Sequence, residues 1–404
     1  MFRPFVAALL LLAIVAAAPV PVPAAEPDQN ELPTLTIGYV DLEPDVRYDD
    51  WGLHPVDIRS ATAIVDRHAW AGAELGLADV AQLKRVAKAN FALERRTVAD
   101  AAAAIEAIKG LAADGVSLFV LDLPDAAVAE VAKATRDSGV LLFNATATGD
   151  SLRNDDCAPH LFHTAASRAM LMDGLAQFLK AKKWTRVLIL QGPLAEDALT
   201  ASAFKRAAKL FGVAVTETRS FVLGSDPRAR ELNDLAFLTG NASYDAVMVA
   251  DADGEFALAV PYDTLQPAAV VGASGLVPRV WHWSYTRHGA PQVHGRFERM
   301  HGRRMGEADW GAWVAMKTIG DAVVRTKSLA AADISAYIRG DQMRVDGSKG
   351  PGMSFRPWDN QLRQPVLLSS DVWVVANAPI EGFKHRTNDL DTLGYEERDT
   401  TCRF

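Results

Sequence analysis

The sequence predicts an α/β protein of two lobes, each a mostly parallel sheet flanked by helices. From Leu35 onward, short apolar runs alternate with longer, Ala-rich amphipathic stretches, the pattern of repeated βα units. The chain has 404 residues, more than one hydrophobic core usually organises. With 49% hydrophobic and 23% charged residues, its composition is that of a globular protein with enough apolar surface for two cores. A net charge of −8 argues against nucleic acid or an anionic membrane surface as partner.

The elements follow in order. One cation, Arg3, precedes the apolar run Val6 to Ala18 and then Pro19-Val-Pro-Val-Pro-Ala24, which reads as a signal peptide over 1–24, cleaved after Ala24 or one residue later. The run is too short to span a bilayer, so the mature protein is expected to be soluble and exported. In an oxidising compartment Cys157 and Cys402 are expected to pair, the alternative being two unlinked thiols.

Strands are predicted at Leu35 to Val40, Ser117 to Leu121, Val140 to Phe143, Arg186 to Leu190, Val213 to Arg219, Ala246 to Ala250, Ala269 to Gly272 and Val277 to Trp281. Apolar spacing of three or four predicts helices over Ile58 to Leu75, Val98 to Ala113, Ala126 to Ser138, Arg168 to Lys182, Glu196 to Phe211, Arg228 to Leu238 and Trp310 to Thr326. Ser167 and Asp309 are placed as N-caps for two of these, and Gly110, Gly139 and Gly212 as helix stops. After Thr326 come a short helix near Ala332 to Arg339, a Gly- and Pro-rich loop from Gly347 to Pro357, a hairpin from Pro365 to Leu368 and Val372 to Val375, and a polar, irregular tail.

Four of the nine tryptophans fall between Trp281 and Trp313. Trp310 and Trp313 are three apart on a helix and share a face, while Trp281 and Trp283 share a side if their stretch is extended. Trp281, Trp283 and Trp310 are therefore candidate ring contacts to a flat ligand, with Trp51 and Trp358 secondary; the competing reading is ordinary core. Trp70, Trp184 and Trp373 lie inside predicted elements and are assigned to packing. In open parallel sheets ligands sit beyond the carboxyl ends of the strands, here the loops starting at Asp41, Asp122, Asn144, Gln191, Asp251, Ser274 and His282.

The order of elements resembles the type I periplasmic binding proteins of the branched-chain amino-acid kind, the solute receptors of ABC importers. Leu35-Thr-Ile-Gly-Tyr39, Gly139-Val-Leu-Leu-Phe-Asn-Ala-Thr146, Leu161-Phe-His-Thr-Ala-Ala-Ser167 and Lys183-Trp-Thr-Arg-Val-Leu-Ile189 carry the resemblance, together with the helix from Trp310. Where such receptors have small hydroxyl residues that hold an amino acid, this chain reads Leu121-Asp-Leu-Pro-Asp125, and the opening loop Asp41 to Asp50 is acidic. A narrower resemblance, on Gly275-Leu-Val-Pro-Arg-Val-Trp-His-Trp-Ser284, Asp309-Trp-Gly-Ala-Trp313 and Cys402-Arg-Phe404, is to the subgroup associated with PQQ-dependent alcohol dehydrogenase systems. It implies a periplasmic monomer that binds pyrroloquinoline quinone (PQQ) for an ABC transporter or a PQQ-dependent dehydrogenase. The lobes are expected at 26–145 plus 284–345 and at 146–283 plus 346–404.

PQQ is a planar tricarboxylate, so stacking rings and arginine forks are required. Among the loop-proximal arginines Arg47, Arg168, Arg279, Arg356 and Arg363, Arg168 stands out because it opens a helix; Arg356 is a further candidate. Asn144, Thr146 and His282 are candidate hydrogen-bond donors, although His282 also fits a structural imidazole. Asp41, Glu43 and Asp45 alternate like a calcium loop, but Val46 and Gly52 break the pattern, and no metal site is expected. No nucleophile elbow, zinc-protease motif or phosphate loop occurs, Gly272-Ala-Ser-Gly275 being a near miss, so a binding protein is expected in place of an enzyme.

Overall fold

Buried apolar runs pair as two parallel sheets. The computed structural model describes residues 32–48, 68–224 and 231–404; the expected signal peptide and Trp51 lie outside them. In the first sheet, β1 (Thr34–Leu42), β2 (Asn90–Val98), β3 (Leu118–Asp122), β4 (Leu141–Asn144) and β5 (Leu161–His163) run parallel in the order β2-β1-β3-β4-β5. Every residue of β3 and β4 is buried, as expected of strands covered on both faces. The second sheet holds β6 (Arg186–Gln191), β7 (Ala214–Ser220), β8 (Ala246–Ala250) and β9 (Ala269–Gly272), parallel in the order β7-β6-β8-β9. Beside it β10 (Val277–Arg279), β11 (Val366–Ser369) and β12 (Val374–Ala378) form an antiparallel sheet that contains the expected hairpin.

The helices are α1 (Trp70–Ala81), α2 (Lys84–Ala87), α3 (Ala101–Ala113), α4 (Asp125–Ala134), α5 (Arg168–Ala181), α6 (Ala195–Phe211), α7 (Leu235–Thr239), α8 (Glu255–Asp263), α9 (Ala290–His301), α10 (Glu307–Thr326) and α11 (Ala331–Arg339). Helices α9, α10 and α11 group with α1 on the first lobe, whereas α5 packs on α6 and on β10, β11 and β12 in the second. Close approach requires glycine here: a Cβ on Gly72 of α1 would stand 2.0 Å from the Asp309 carbonyl oxygen, and one on Gly311 of α10 would stand 2.1 Å from that of Ala145.

Several sequence expectations shift for local reasons. The structure adds β2, which is an edge strand carrying Glu94, Arg95 and Arg96, so its polar content hid it. It also adds β5, whose three residues pair with β4 and carry the first lobe past the expected boundary at residue 145. Residues 345–362 stay with the first lobe as well, through bridges Val345 to Met353, Phe355 to Leu362 and His163 to Gln361, so the third crossing lies beyond the expected 345. Helix α3 starts three residues late because β2 runs to Val98, and Asp100 caps it by accepting from Ala103 N. Ser167 caps α5 as expected, its hydroxyl accepting from Met170 N. Asp309 sits instead inside α10, reaching back to Gly306 N at 2.8 Å as the return half of a capping box. Gly212 ends α6 with φ +68°, but Gly110 lies within α3. Trp373 is exposed at the hairpin, not packed.

The chain passes between the lobes three times, and one buried lysine joins the passages. Lys349 Nζ donates to the Val280 carbonyl at 2.9 Å, to Gln364 Oε1 at 2.8 Å and to the Pro365 carbonyl at 2.9 Å. Gln364 Nε2 in turn donates to the Thr164 carbonyl at 2.8 Å. First, second and third crossings are thus held by one ammonium and one amide. Burial pulls Lys349 well below the usual lysine range, with Glu307 opposing. The acceptors nevertheless match the three N–H bonds of the charged form, and the Trp310 ring lies 3.8 Å away.

The tail is tied down in a similar way. Gln177 accepts from Ile380 N and donates to Thr392, Asp173 accepts from Gly394 N at 2.6 Å and from Arg206 at 2.6 Å, and Cys157 and Cys402 form a disulfide. Burial pushes the Asp173 carboxyl up to about 7, with the Arg206 charge opposing.

Replacing Lys349 with Met strands three buried acceptors and should cost about 3 to 5 kcal/mol, read as a lower midpoint in urea unfolding. Asp173 holds its proton more tightly folded than unfolded, so its contribution is lost as pH rises from about 4 to about 7. Measured against Asp173→Asn, which has no such proton, the native protein should lose stability between about pH 4 and about pH 7; parallel profiles would contradict this.

Candidate functional site

The carboxyl ends of the parallel strands bring Asp41, Asp122 and Asn144 side by side at one edge of the first sheet, with Asp41 the register partner of Asp122. Asp122 is fully buried at the centre. Its Oδ1 accepts from Tyr48 Oη at 2.7 Å, Thr146 Oγ1 at 2.9 Å and Arg47 at 3.1 Å. Its Oδ2 accepts from Ala69 N at 2.9 Å and Tyr39 Oη at 3.1 Å, with His68 Nδ1 at 3.4 Å. Burial alone would raise this carboxyl; donation from His68, the Arg47 charge, Tyr48 and the Ala69 amide outweigh it and hold Asp122 well below the ordinary range. Burial first and the Asp122 charge second push the Tyr39 and Tyr48 phenols up, so both remain protonated donors.

Asp45, His68 and Asp122 converge closely enough to suggest a cation, their ligand atoms lying within 4.8 Å of one another. Arg47 already serves there. Its Nε lies 3.0 Å from Asp45 and its terminal nitrogens reach Asp122 and Thr146, so a guanidinium neutralises the carboxylates that a metal would bridge. Beside it Arg95 Nε holds Asp41 Oδ2 at 2.9 Å, while Asp41 Oδ1 is buried with no hydrogen-bond partner among the described residues.

Between the sheets, α5 presents Arg168 at its first residue. Asp125 opens α4 beyond β3, and Glu196 lies in the first turn of α6 beyond β6. The Arg168 guanidinium bonds Glu196 from the second lobe and stands 3.6 Å from Asp125 of the first. Three helix N-termini and one arginine thus meet where the carboxyl ends of both sheets face, an arrangement suited to a carboxylate. Two of the protein's own carboxylates hold that place.

The remaining expected contacts are placed elsewhere. Trp281 and Trp310 are sealed in the core, 1% and 0% exposed, and lie against each other at 6.4 Å and 16°, with no room for a guest ring between them. Trp310 Nε1 donates to the Gly347 carbonyl at 3.0 Å and Trp313 Nε1 to Asp79 at 2.9 Å, so both serve packing. Trp283 is half-buried beneath the Arg304 guanidinium, 3.8 Å from its centroid. His282 is buried and bonded to Ser284; burial, then the nearby Arg279, push it down to about 4, so it is a neutral imidazole. Asn144 folds onto its own loop, donating to the Ala147 carbonyl and accepting from Ala147 N and Thr146 N, which closes an Asx turn. Thr146 is engaged by Arg47 and Asp122. Arg356 is buried against Asp391 at 2.9 Å, and Trp358 donates to the Tyr395 carbonyl with the Arg356 and Arg363 guanidiniums 5.7 and 5.2 Å from its ring.

Sequence reasoning missed Tyr48, His68 and Arg95. Tyr48 belongs to the acidic opening loop, where an aromatic among carboxylates was a usable signal; Arg95 depended on the unseen β2.

The model of the family described as "Periplasmic binding protein" matches residues 54–236. Solved structures share the whole arrangement, and the chain has the two-lobed fold of the type I periplasmic binding proteins. A branched-chain amino acid ABC transporter periplasmic ligand-binding protein from Burkholderia xenovorans LB400 is 14% identical with a TM-score of 0.66, over 85% of this chain and 95% of that one. An ABC transporter substrate-binding protein from Desulfitobacterium hafniense in complex with Leu is 14% identical with a TM-score of 0.64, over 84% and 99%. A solute-binding protein from R. palustris in complex with benzoate is 13% identical with a TM-score of 0.63, over 92% and 100%. No curated protein matches the sequence. The narrower resemblance to PQQ-associated receptors has no counterpart in these three structures.

Replacing Asp122 with Ala leaves Arg47, two phenols and a backbone amide without their shared acceptor. The expected cost is about 3 to 5 kcal/mol in urea unfolding, and Asp122→Asn, which keeps one acceptor oxygen, should lose less.

Proposed function

We propose that the protein is an exported solute receptor that closes its lobes on a small organic anion and presents it to the membrane subunits of an ABC importer. The observation that carries this reading is Arg168, 8% exposed, set at the junction of α4, α5 and α6 between a carboxylate from each lobe. A ligand carboxylate would replace the half-exposed Glu196 on the guanidinium, exchanging one charge-assisted pair for another. Contacts to both lobes then favour the closed state that a partner reads. Fold neighbours in complex with Leu and with benzoate support a ligand of that size.

An aromatic acid is the preferred ligand class. PQQ belongs to the same chemistry as a planar carboxylate, and delivery to a PQQ-dependent dehydrogenase remains the corresponding variant of this proposal. The indole wall no longer argues for it, because Trp281 and Trp310 contact each other.

Isothermal titration of the mature protein with benzoate, leucine and PQQ tests the reading. At least one carboxylate should bind, and Arg168→Ala should weaken it by about tenfold to a hundredfold. Silence with every ligand, or equal affinity in the variant, would reject it.

A further inference from the structure

We propose that the outer face of the second lobe, built by α7 and α8, is a docking surface for a protein that presents an apolar projection ringed by lysine or arginine. Both helices seal the same side of the second sheet: Leu235 and Leu238 of α7 and Ala257 and Val260 of α8 enter one buried cluster with Leu190 and Val249. With that side satisfied, their opposite sides are expected to be polar. They are not. Phe237 is 74% exposed on α7, and Leu258 and Tyr262, four apart on one side of α8, are 44% and 90% exposed. Leu265, 62% exposed, is held at the end of α7 by its own amide, which donates to Thr239 Oγ1 at 2.9 Å. These four side chains expose on the order of 500 Å², the size at which an apolar patch marks an interaction site and exceeds the single leucines normal on any surface. Two of them are aromatic, so they lose little rotamer freedom on docking.

Charge decides what docks. Between residues 231 and 278 the chain has seven carboxylates and no lysine, arginine or histidine. Three of the carboxylates border the patch. Asp234 caps α7 and accepts from Phe237 N at 3.2 Å, Glu255 precedes Leu258 by one turn on the same side of α8, and Asp263 follows Tyr262. All three are exposed. Arg219, which reaches the end of α7 from β7, is engaged by the Leu238 and Gly240 carbonyls at 2.8 and 2.7 Å and by Glu217 at 2.7 Å. A second copy joined through the same face would set carboxylates against carboxylates, and an anionic lipid surface is disfavoured for the same reason. Cations around an apolar tip satisfy the rim and the centre together.

The face lies on the far side of the second sheet from α6 and needs no captured solute, so the inference goes beyond the receptor reading and fails separately from it. In the test, p-benzoylphenylalanine replaces Tyr262 in the full chain, expressed in the cells that produce it, and the peptide joined on irradiation is sequenced. The expected adduct is a protein segment with an apolar side chain among lysines or arginines. Its yield should fall about fivefold or more when Glu255→Lys and Asp263→Lys are added, and likewise with Phe237→Ser alone. Circular dichroism and the urea midpoint of each variant should match the native protein, because these side chains are exposed. The same photoreactive group at Leu210, exposed on α6, should give no such adduct. A contact with another copy of this chain, with lipid, or with an uncharged or acidic segment would overturn the proposal, as would no adduct at position 262 or a yield indifferent to the charge reversal.

Discussion

Three passages of chain between two lobes pose a single physical problem, since each carries backbone carbonyls into a region that water barely reaches. Lys349 answers it by placing one ammonium among acceptors from the second and third passages, while Gln364 extends the link to the first. A buried cation is costly unless each of its protons finds an acceptor, and here each does. Around this knot the stacked Trp281 and Trp310 belong to one buried apolar cluster that runs from the first sheet to the second, while each lobe has a further cluster of its own on the far side of its sheet.

That arrangement leaves the central tryptophans to packing and rests the proposed recognition on charge. On the first lobe, Asp122 gathers Arg47, Tyr48, Tyr39, Thr146 and a backbone amide so completely that it is a structural centre with little capacity left for a ligand. Between the lobes the balance differs. Arg168 is held by Glu196, whose side chain is 54% exposed, so its partner is exchangeable in a way that those of Asp122 are not. A solvent-facing carboxylate on an arginine at a helix start is a weak substitute for a ligand that brings its own carboxylate and further contacts.

Much of the fold was legible because βα alternation and buried apolar strands follow directly from hydrophobic periodicity. Among the elements that escaped were β2, an edge strand with a charged run, and β5, three residues long and defined only by its neighbour, together with helices α2, α8 and α9, which follow or precede Gly- and Pro-containing loops or are very short. The site was harder to read. Trp281 and Trp310 cluster in sequence for the same reason they meet in space, but nothing in sequence distinguishes two indoles that face a guest from two that face each other. Asn144 and Thr146 illustrate a related limit: both stand at the right strand end, yet their polar groups are taken by a turn and by Arg47. Arg168 was singled out because it opens a helix whose start also favours anions, and the structure places it between Glu196 and Asp125.

The sealing of the central indoles carries a practical consequence for optical work. Of the nine tryptophans, Trp281 and Trp310 are shut in the interior against each other, with Lys349 3.8 Å from the Trp310 ring, so these two indoles sit at the pivot. Emission from those two rings would register the lobes swinging about Lys349, whereas that of exposed Trp373 at the hairpin would not.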